Sequence, residues 1–247
     1  MAALLSGLCL GASTLSCAAP AGEDALRHDA VRGQAAGPGA TVQRSQPLVP
    51  QRGPFRHTGR GQFRAKVVPV TAARLGSSHR TGCPVPVADL RLLQVTHLGF
   101  DGRPHLGQIV VHRAQASAVV EIFRQLYGAR FPVQRMVTVE QYGSDDDRSM
   151  AANNTSAYNC RTTTGGSGFS EHAYGTALDI NPVQNPYVRG MTVLPEAGRA
   201  YLDRTDVRPG MIVADGVVVR AFIAAGWGWG GNFRTLKDYQ HFSVSGR

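Results

Sequence analysis

Two short stretches of the chain hold the residue types of a metal site: SEHAYGTALDINP at residues 170–182 and DYQH at residues 238–241. Each stretch contributes one histidine and one aspartate to the pattern. Two histidines and one carboxylate can supply the three protein ligands of a catalytic zinc site, whose fourth position is left for water. The second aspartate, Asp238, precedes the last histidine closely and can serve as a general base. The pattern predicts a Zn2+ centre with three ligands: His172, Asp179 and His241.

The spacing within the first stretch favours a turn followed by a strand. Residues 176–181 have the apolar character of a strand that begins just after the histidine. Gly175 and Ala177 are small, which leaves room for both ligands to point toward one place. A histidine alone is more often a core or surface residue, and we give that interpretation to the others: His28, His57, His79, His97, His105 and His112.

The rest of the C-terminal part alternates strand and helix patterns. The expected elements are, in order, strands at residues 90–95 and 107–112, a helix over 116–127 closed by Gly128, a strand at 136–139, a long polar loop at 143–161, a helix over 217–225 with Asp215 as its N-cap, and a last strand through His241 and Phe242. This order favours an α+β fold with a small antiparallel sheet and flanking helices.

Further motifs accompany the two stretches: QYGSDDDRSM (141–150), NNTSAYNCR (153–161), GWGWGG (226–231) and DYQHF (238–242). Taken together, from about Leu90 to His241, they resemble the zinc peptidases of the D-alanyl-D-alanine carboxypeptidase family. That group includes the vancomycin-resistance carboxypeptidases and the L-alanyl-D-glutamate endolysins. It shares a metal-site core with the hedgehog signalling domain, so the resemblance implies a hedgehog-like zinc fold. Residues 183–214 have no counterpart in the short endolysins.

The resemblance implies a role for each residue of the centre. His172, Asp179 and His241 correspond to the zinc ligands, and Asp238 corresponds to the base, where the vancomycin-resistance enzymes have glutamate. Arg161 stands where the family has an arginine that binds the scissile carbonyl or its oxyanion, and a fixed guanidinium suits that charge. The alternative for this arginine is an ion pair with the acidic run at residues 145–147.

Three more side chains are candidates near the centre. Ser170 and Tyr174 flank the first histidine and are expected to orient a ligand or contact the substrate. Trp229, like its neighbour Trp227, either lines the cleft or packs in the core.

Composition divides the chain into three parts: an apolar segment at residues 1–20, a basic segment at 21–80 and a catalytic domain at 81–247. The first part resembles an export signal, although it lacks a positive residue before the apolar run. Cleavage near Ala18 and lipid attachment at Cys17 are both open. The protein is therefore expected outside the cytoplasm, either secreted or in the cell envelope.

The net charge of +9 lies mostly in the basic segment, which holds ten Lys or Arg and three acidic residues. Its irregular Gly, Pro, Gln and Arg content predicts a disordered linker. Such a linker is either merely solvated or attracted to an anionic wall polymer or membrane surface. No nucleic-acid motif accompanies the charge, and we expect a monomer without a nucleic-acid partner.

Two cysteines remain in the predicted catalytic domain, Cys83 and Cys160. Cysteines of an exported protein tend to pair, which predicts a disulfide. Two separate buried thiols are the alternative.

These residues and the resemblance predict a zinc metallopeptidase that hydrolyses peptidoglycan stem peptides. The first expectation is a D-alanyl-D-alanine carboxypeptidase. An L-alanyl-D-glutamate endopeptidase is the alternative within the class, and a wall-binding module that contains zinc but does not catalyse is the alternative outside it. An intact base and arginine argue against the binding module, because binding alone requires neither.

Overall fold

A three-stranded antiparallel sheet with two covered faces organises the described part of the chain, which in this computed structural model comprises residues 62–164 and 166–247. Its strands are β1 (Ala65–Pro69), β2 (Leu90–Leu98) and β3 (Pro104–His112). Because side chains alternate along a strand, β2 and β3 contribute to two separate cores. One face carries Leu93, Val95, Ile109 and Val111, and the other carries Leu90, Leu92 and Val110.

The remaining helices and strands follow in chain order: α1 (Ala72–Leu75), α2 (Ala116–Gly128), α3 (Asp146–Ala151), β4 (Ala177–Asp179), β5 (Tyr187–Arg189), β6 (Thr192–Leu194), α4 (Val217–Ala224), β7 (Gly228–Trp229), β8 (Lys237–Asp238) and β9 (His241–Ser243). Short 3-10 turns connect several of them. The strands after α3 form two further antiparallel sheets, with the orders β4-β9-β7 and β6-β5-β8.

The larger core lies between the first sheet and α2. The apolar stripe of this helix (Val119, Ile122, Phe123 and Leu126) is buried against β2 and β3. α4 packs beside it and joins the same core. The predicted helix over residues 116–127 is therefore confirmed, as are the strands expected at 90–95 and 107–112. The fold is mixed α and β with small antiparallel sheets, which confirms the predicted class, although three sheets stand where one was expected.

The predicted boundary between linker and domain is corrected by the second core. Residues 62–80 were expected to be linker, but β1 pairs along β2, and Val70 and Leu75 cover the outer face of the sheet. Without them that apolar face and the edge of β2 would meet solvent, which is why this segment folds with the domain. The rest of the predicted linker and the apolar segment at 1–20 lie outside the described residues.

Three local predictions are wrong. Residues 136–139 make no ladder: Arg135 forms only an isolated bridge with Asn154. The long polar loop contains α3, which Asp145 caps by accepting a hydrogen bond from the amide of Arg148 at 3.0 Å. Gly216, and not Asp215, occupies the N-cap of α4 and makes no side-chain cap bond.

Within the described residues, no helix is both long enough and apolar enough to cross a membrane.

Candidate metal centre

Backbone pairing brings two of the three expected ligands together. β4 ends at Asp179, which lies directly opposite His241 of β9 in the antiparallel ladder. Residues opposite each other in a ladder point to the same side of the sheet. His172 reaches this side from a 3-10 turn, Glu171–Tyr174, that immediately precedes β4.

Gly175 ends that turn and makes the approach possible. Its φ of 67° lies in the left-handed region, and its carbonyl accepts a hydrogen bond from the amide of His112 at 2.9 Å. A Cβ at this position would lie 2.6 Å from the His112 nitrogen. Only glycine fits there without a shift of β3, which explains the glycine of the motif.

The three side chains present their donor atoms to one point. Nε2 of His172 lies 3.1 Å from Oδ2 of Asp179, and Nδ1 of His241 lies 3.0 Å from Oδ1. The two ring nitrogens are 3.3 Å apart. Donors at about 2.0–2.1 Å from a tetrahedral zinc ion would be roughly 3.3 Å from one another. The arrangement therefore fits a zinc ion, and all three residues are buried.

Outer hydrogen bonds orient the two imidazoles for metal binding. Nδ1 of His172 lies 2.6 Å from the carbonyl oxygen of Ala157, and Nε2 of His241 lies 3.3 Å from that of Arg247. A carbonyl can only accept, so these nitrogens donate and the opposite nitrogens keep their lone pairs for a cation. These two nitrogens face each other beside a buried carboxylate, an arrangement that a cation, either a proton or a metal ion, would satisfy.

The electrostatics of the centre are those of a cation site. Burial opposes ionisation of Asp179, yet the two histidines outweigh it and hold the pKa of this carboxyl well below its ordinary value. Burial likewise lowers the pKa of His241, but the hydrogen bond and charge of Asp179, together with Asp238, outweigh it and raise that pKa to about 9. In the metal-free protein a proton thus stands in for part of the charge that a metal ion would supply.

A cavity of about 450 Å³ opens onto the three ligands, and Asp238 and Arg161 also line it. Oδ1 of Asp238 is inaccessible to solvent and has no hydrogen-bond partner among the described residues. Burial, the largest influence, raises the pKa of this carboxyl to about 6. A carboxylate with a raised pKa beside a metal site has the properties of a general base.

The glycine-rich motif explains how Asp238 is placed. A Cβ on Gly230 would lie 2.5 Å from the carbonyl oxygen of Asp238 and 2.9 Å from its Cβ. The absence of a side chain lets the segment after β7 lie directly against the residue. Lys237 also ties the same segment to β8, because its Nζ donates to the carbonyls of Gly231 and Phe233 at 3.0 and 2.8 Å.

Two positions were considered for Arg161 from the sequence, one at the substrate cleft and one in an ion pair with residues 145–147, and the structure combines them. It lines the cavity, and its Nη2 lies 2.9 Å from Oδ2 of Asp146. Its Nε is buried without a partner among the described residues. The ion pair fixes the guanidinium at the wall of the cavity.

The confirmed disulfide between Cys83 and Cys160 is adjacent to this arginine in the chain. Cys160 also donates its backbone N–H to the carbonyl of Ser78 at 3.1 Å. The segment that carries Arg161 is thereby anchored to the N-terminal part of the domain.

The other three candidate residues lie in three different environments: the cavity wall, the surface and the core. Ser170 lines the cavity, and its hydroxyl accepts a hydrogen bond from the amide of His172 at 3.3 Å, so it orients the turn that bears this ligand. Tyr174 is exposed and does not reach the cavity wall. Trp229 is buried in the core with its ring parallel to that of Phe242, and its indole N–H donates to the carbonyl of Tyr239. Of the two positions considered from the sequence it therefore takes the core, and it is not a cleft residue.

Sequence reasoning missed one wall of the cavity. Tyr187 and Arg189 of β5, Leu194 of β6, and Phe233 and Leu236 before β8 all line it. They lie in short strands and turns that have no recognisable period. The alternation of Tyr187 and Arg189 across one intervening valine was the only signal, and it is too short to predict a strand.

Comparison with known proteins agrees with this geometry. Residues 163–244 match the family model described as D-alanyl-D-alanine carboxypeptidase, and this match supports the family that the motifs indicated. The matched segment contains all three candidate ligands and Asp238. No curated protein and no solved structure gives a significant match to the chain.

Proposed function

We propose that the protein is a zinc-dependent peptidase that hydrolyses peptidoglycan stem peptides, with the D-alanyl-D-alanine bond as its first substrate. One observation carries the proposal. Asp238, a carboxylate whose Oδ1 is buried without a hydrogen-bond partner, shares a cavity with a His-Asp-His set whose donor spacing fits zinc. A site that only bound metal, or only bound the wall, would gain nothing from burying a carboxylate oxygen without a partner.

Each residue of the centre has a separate role in the proposed hydrolysis. His172, Asp179 and His241 would hold the zinc ion, which when bound supplies Lewis-acid chemistry by acidifying water and polarising a carbonyl group. Asp238 accepts a proton from the attacking water, whose oxygen bonds to the scissile carbonyl carbon. Arg161 donates hydrogen bonds to the carbonyl oxygen as negative charge develops on it. The C–N bond then breaks, and Asp238 returns the proton to the leaving amine.

We further infer that the protein acts outside the cytoplasm. The disulfide between Cys83 and Cys160 supports this, because such bonds persist in oxidising compartments. Stem peptides of the wall are the substrate found there. The basic segment predicted from the sequence would hold the enzyme near anionic wall polymers or the membrane surface.

Digestion of purified muropeptides, followed by mass analysis, tests the proposal. Loss of a single terminal alanine is the expected product, and a chelator should prevent it. Release of the stem after L-alanine would instead identify an endopeptidase. Absence of cleavage by the zinc-loaded protein would refute the peptidase and favour the wall-binding module.

Variants of the base and of a ligand separate catalysis from metal binding. Asp238→Ala should keep its zinc and lose hydrolysis by a factor of about 100 to 10,000, which is the usual contribution of a general base. His172→Ala should lose both zinc and hydrolysis. Normal hydrolysis by Asp238→Ala would refute the role given to this residue.

A further inference from the structure

The wall formed by the β6-β5-β8 sheet carries an arginine that the proposed chemistry does not use. Arg189 lines the cavity at the end of β5 and is exposed. Among the described residues, no acidic side chain pairs with it. Arg161 differs in this respect, because Asp146 already neutralises it. A cation that faces a substrate cavity without a counter-ion is available for an anionic group of the ligand.

The register of the sheet places Arg189 relative to the base. Leu194, Tyr187 and Asp238 lie opposite one another across the three strands, and all three line the cavity. This row therefore points into the cavity. Arg189 is two residues beyond Tyr187 on β5, so it lies on the same face. Its backbone is roughly 7 Å along the strand from the row that contains the base, at about 3.3 Å per residue.

This distance along β5 fits a substrate with one residue on the leaving side of the scissile bond. The scissile carbonyl must lie beside Asp238 and the metal ligands. The next residue of an extended peptide adds about 3.3–3.6 Å. A carboxylate on that residue would fall between the row of the base and Arg189, within reach of a long arginine side chain. A planar guanidinium can hold a carboxylate through two parallel hydrogen bonds.

We propose that Arg189 is a specificity residue that binds a carboxylate on the residue released with the new amine. The inference rests on the proposed peptidase function and names the substrate feature that its site selects. Two stem-peptide positions offer this chemistry: the terminal carboxylate of D-Ala-D-Ala, and the free α-carboxylate of D-Glu after L-Ala. Recognition of one of them restricts the enzyme to peptides with an acidic leaving residue.

Two pairs of synthetic stem peptides distinguish the sources. One pair ends in D-Ala-D-Ala as the free acid or as the amide. The other has L-Ala joined to D-Glu with the α-carboxylate free or amidated. The zinc-loaded wild-type protein should cleave the acid of one pair with a kcat/KM about tenfold above that of its amide, the effect of one charge-assisted hydrogen-bonded pair at an exposed site. The pair in which this preference appears identifies the carboxylate.

Substitution then assigns the preference to one side chain. Arg189→Gln should lower kcat/KM for the acid about tenfold, mainly through KM, and leave the amide unchanged. Arg189→Lys should retain part of the preference, because it keeps the charge and loses the planar fork. Arg234→Gln is the matched control: this arginine is exposed, lies between Phe233 and Leu236 in the chain, and does not line the cavity. It should keep the full preference.

Three results overturn the inference. The first is full preference for the acid in Arg189→Gln. The second is equal cleavage of acid and amide by a wild-type enzyme that still hydrolyses peptides. The third is loss of the preference in Arg247→Gln, since Arg247 also lines the cavity. In each case the peptidase proposal stands. Failure of the wild-type enzyme to cleave any of the four peptides refutes the peptidase proposal itself.

Discussion

Replacing Asp238 by asparagine should stabilise the metal-free protein at neutral pH while it abolishes hydrolysis. Burial is the largest influence on this carboxyl and raises its pKa to about 6, against an ordinary value of 3.8. The charges of His241 and His172 oppose that effect, and Asp179 adds to it. The ionised form is therefore less favourable in the folded protein than in the unfolded chain. An amide of similar shape carries no charge to bury.

The magnitude follows from the difference between the two pKa values, which corresponds to roughly 3 kcal/mol at about 1.36 kcal/mol per pH unit. Because the folded-state pKa is the higher one, folding takes up a proton between pH 4 and 6. The stability that Asp238 contributes is present below the unfolded-state pKa and is lost as pH rises through about 6. The advantage of Asp238→Asn over wild type should shrink by roughly 2 kcal/mol between pH 7.5 and pH 4.5.

Urea unfolding of chelator-treated protein at these two pH values measures the effect. Asp147→Asn is the matched control, because it makes the same substitution at an exposed carboxylate of the same domain. The free energy of unfolding of Asp238→Asn should exceed that of wild type by less at pH 4.5 than at pH 7.5. If the difference stays constant or grows toward pH 4.5, burial of the Asp238 carboxylate does not destabilise the protein. Zinc should reduce the advantage, since a cation offsets the buried charge.

Three further predictions concern the metal, a buried histidine and the disulfide. Added zinc should raise the unfolding midpoint of wild type but not of Asp179→Asn, and zinc stoichiometry by elemental analysis should agree; equal shifts would place the metal elsewhere. Burial lowers the pKa of His97 to about 4, so wild type should lose roughly 3 kcal/mol more than His97→Gln as pH falls from 6.5 to 4; parallel pH profiles would contradict this. Replacing Cys83 and Cys160 together by alanine should lower the free energy of unfolding by roughly 4 kcal/mol, and a reductant should then have no further effect.

The cluster of candidate ligands could be predicted from the sequence because its residues occur in dense local motifs. His172 and Asp179 are separated by one turn and one glycine, and the turn geometry follows from that glycine. α2 could be predicted because its apolar stripe repeats over thirteen residues. Strands of two or three residues, such as β5 and β8, contain too few positions for a period to be seen. For that reason the wall that carries Arg189 was not foreseen.

The boundary of the domain was misplaced for a related reason. β1 lies in a segment of basic and small residues whose composition is typical of a linker, and its strand conformation depends on pairing with β2 rather than on its own pattern. Trp229 was uncertain because an aromatic residue beside glycines suits a cleft and a core equally well. In the structure its ring stacks on Phe242, which places Trp229 in the core.

The sequence by itself determined the chemistry: two histidines, two aspartates and an arginine in motifs that predict a zinc peptidase of one family. Local spacing was enough for this, because metal ligands need particular atoms close together and short segments can provide them. Only the tertiary structure decided which groups remain unsatisfied. Pairing across β5 and β8 sets Asp238 with its Oδ1 buried and unpartnered, the ion pair with Asp146 engages Arg161, and Arg189 has no acidic partner among the described residues. Those differences arise from long-range contacts and burial, which residue order alone does not reveal.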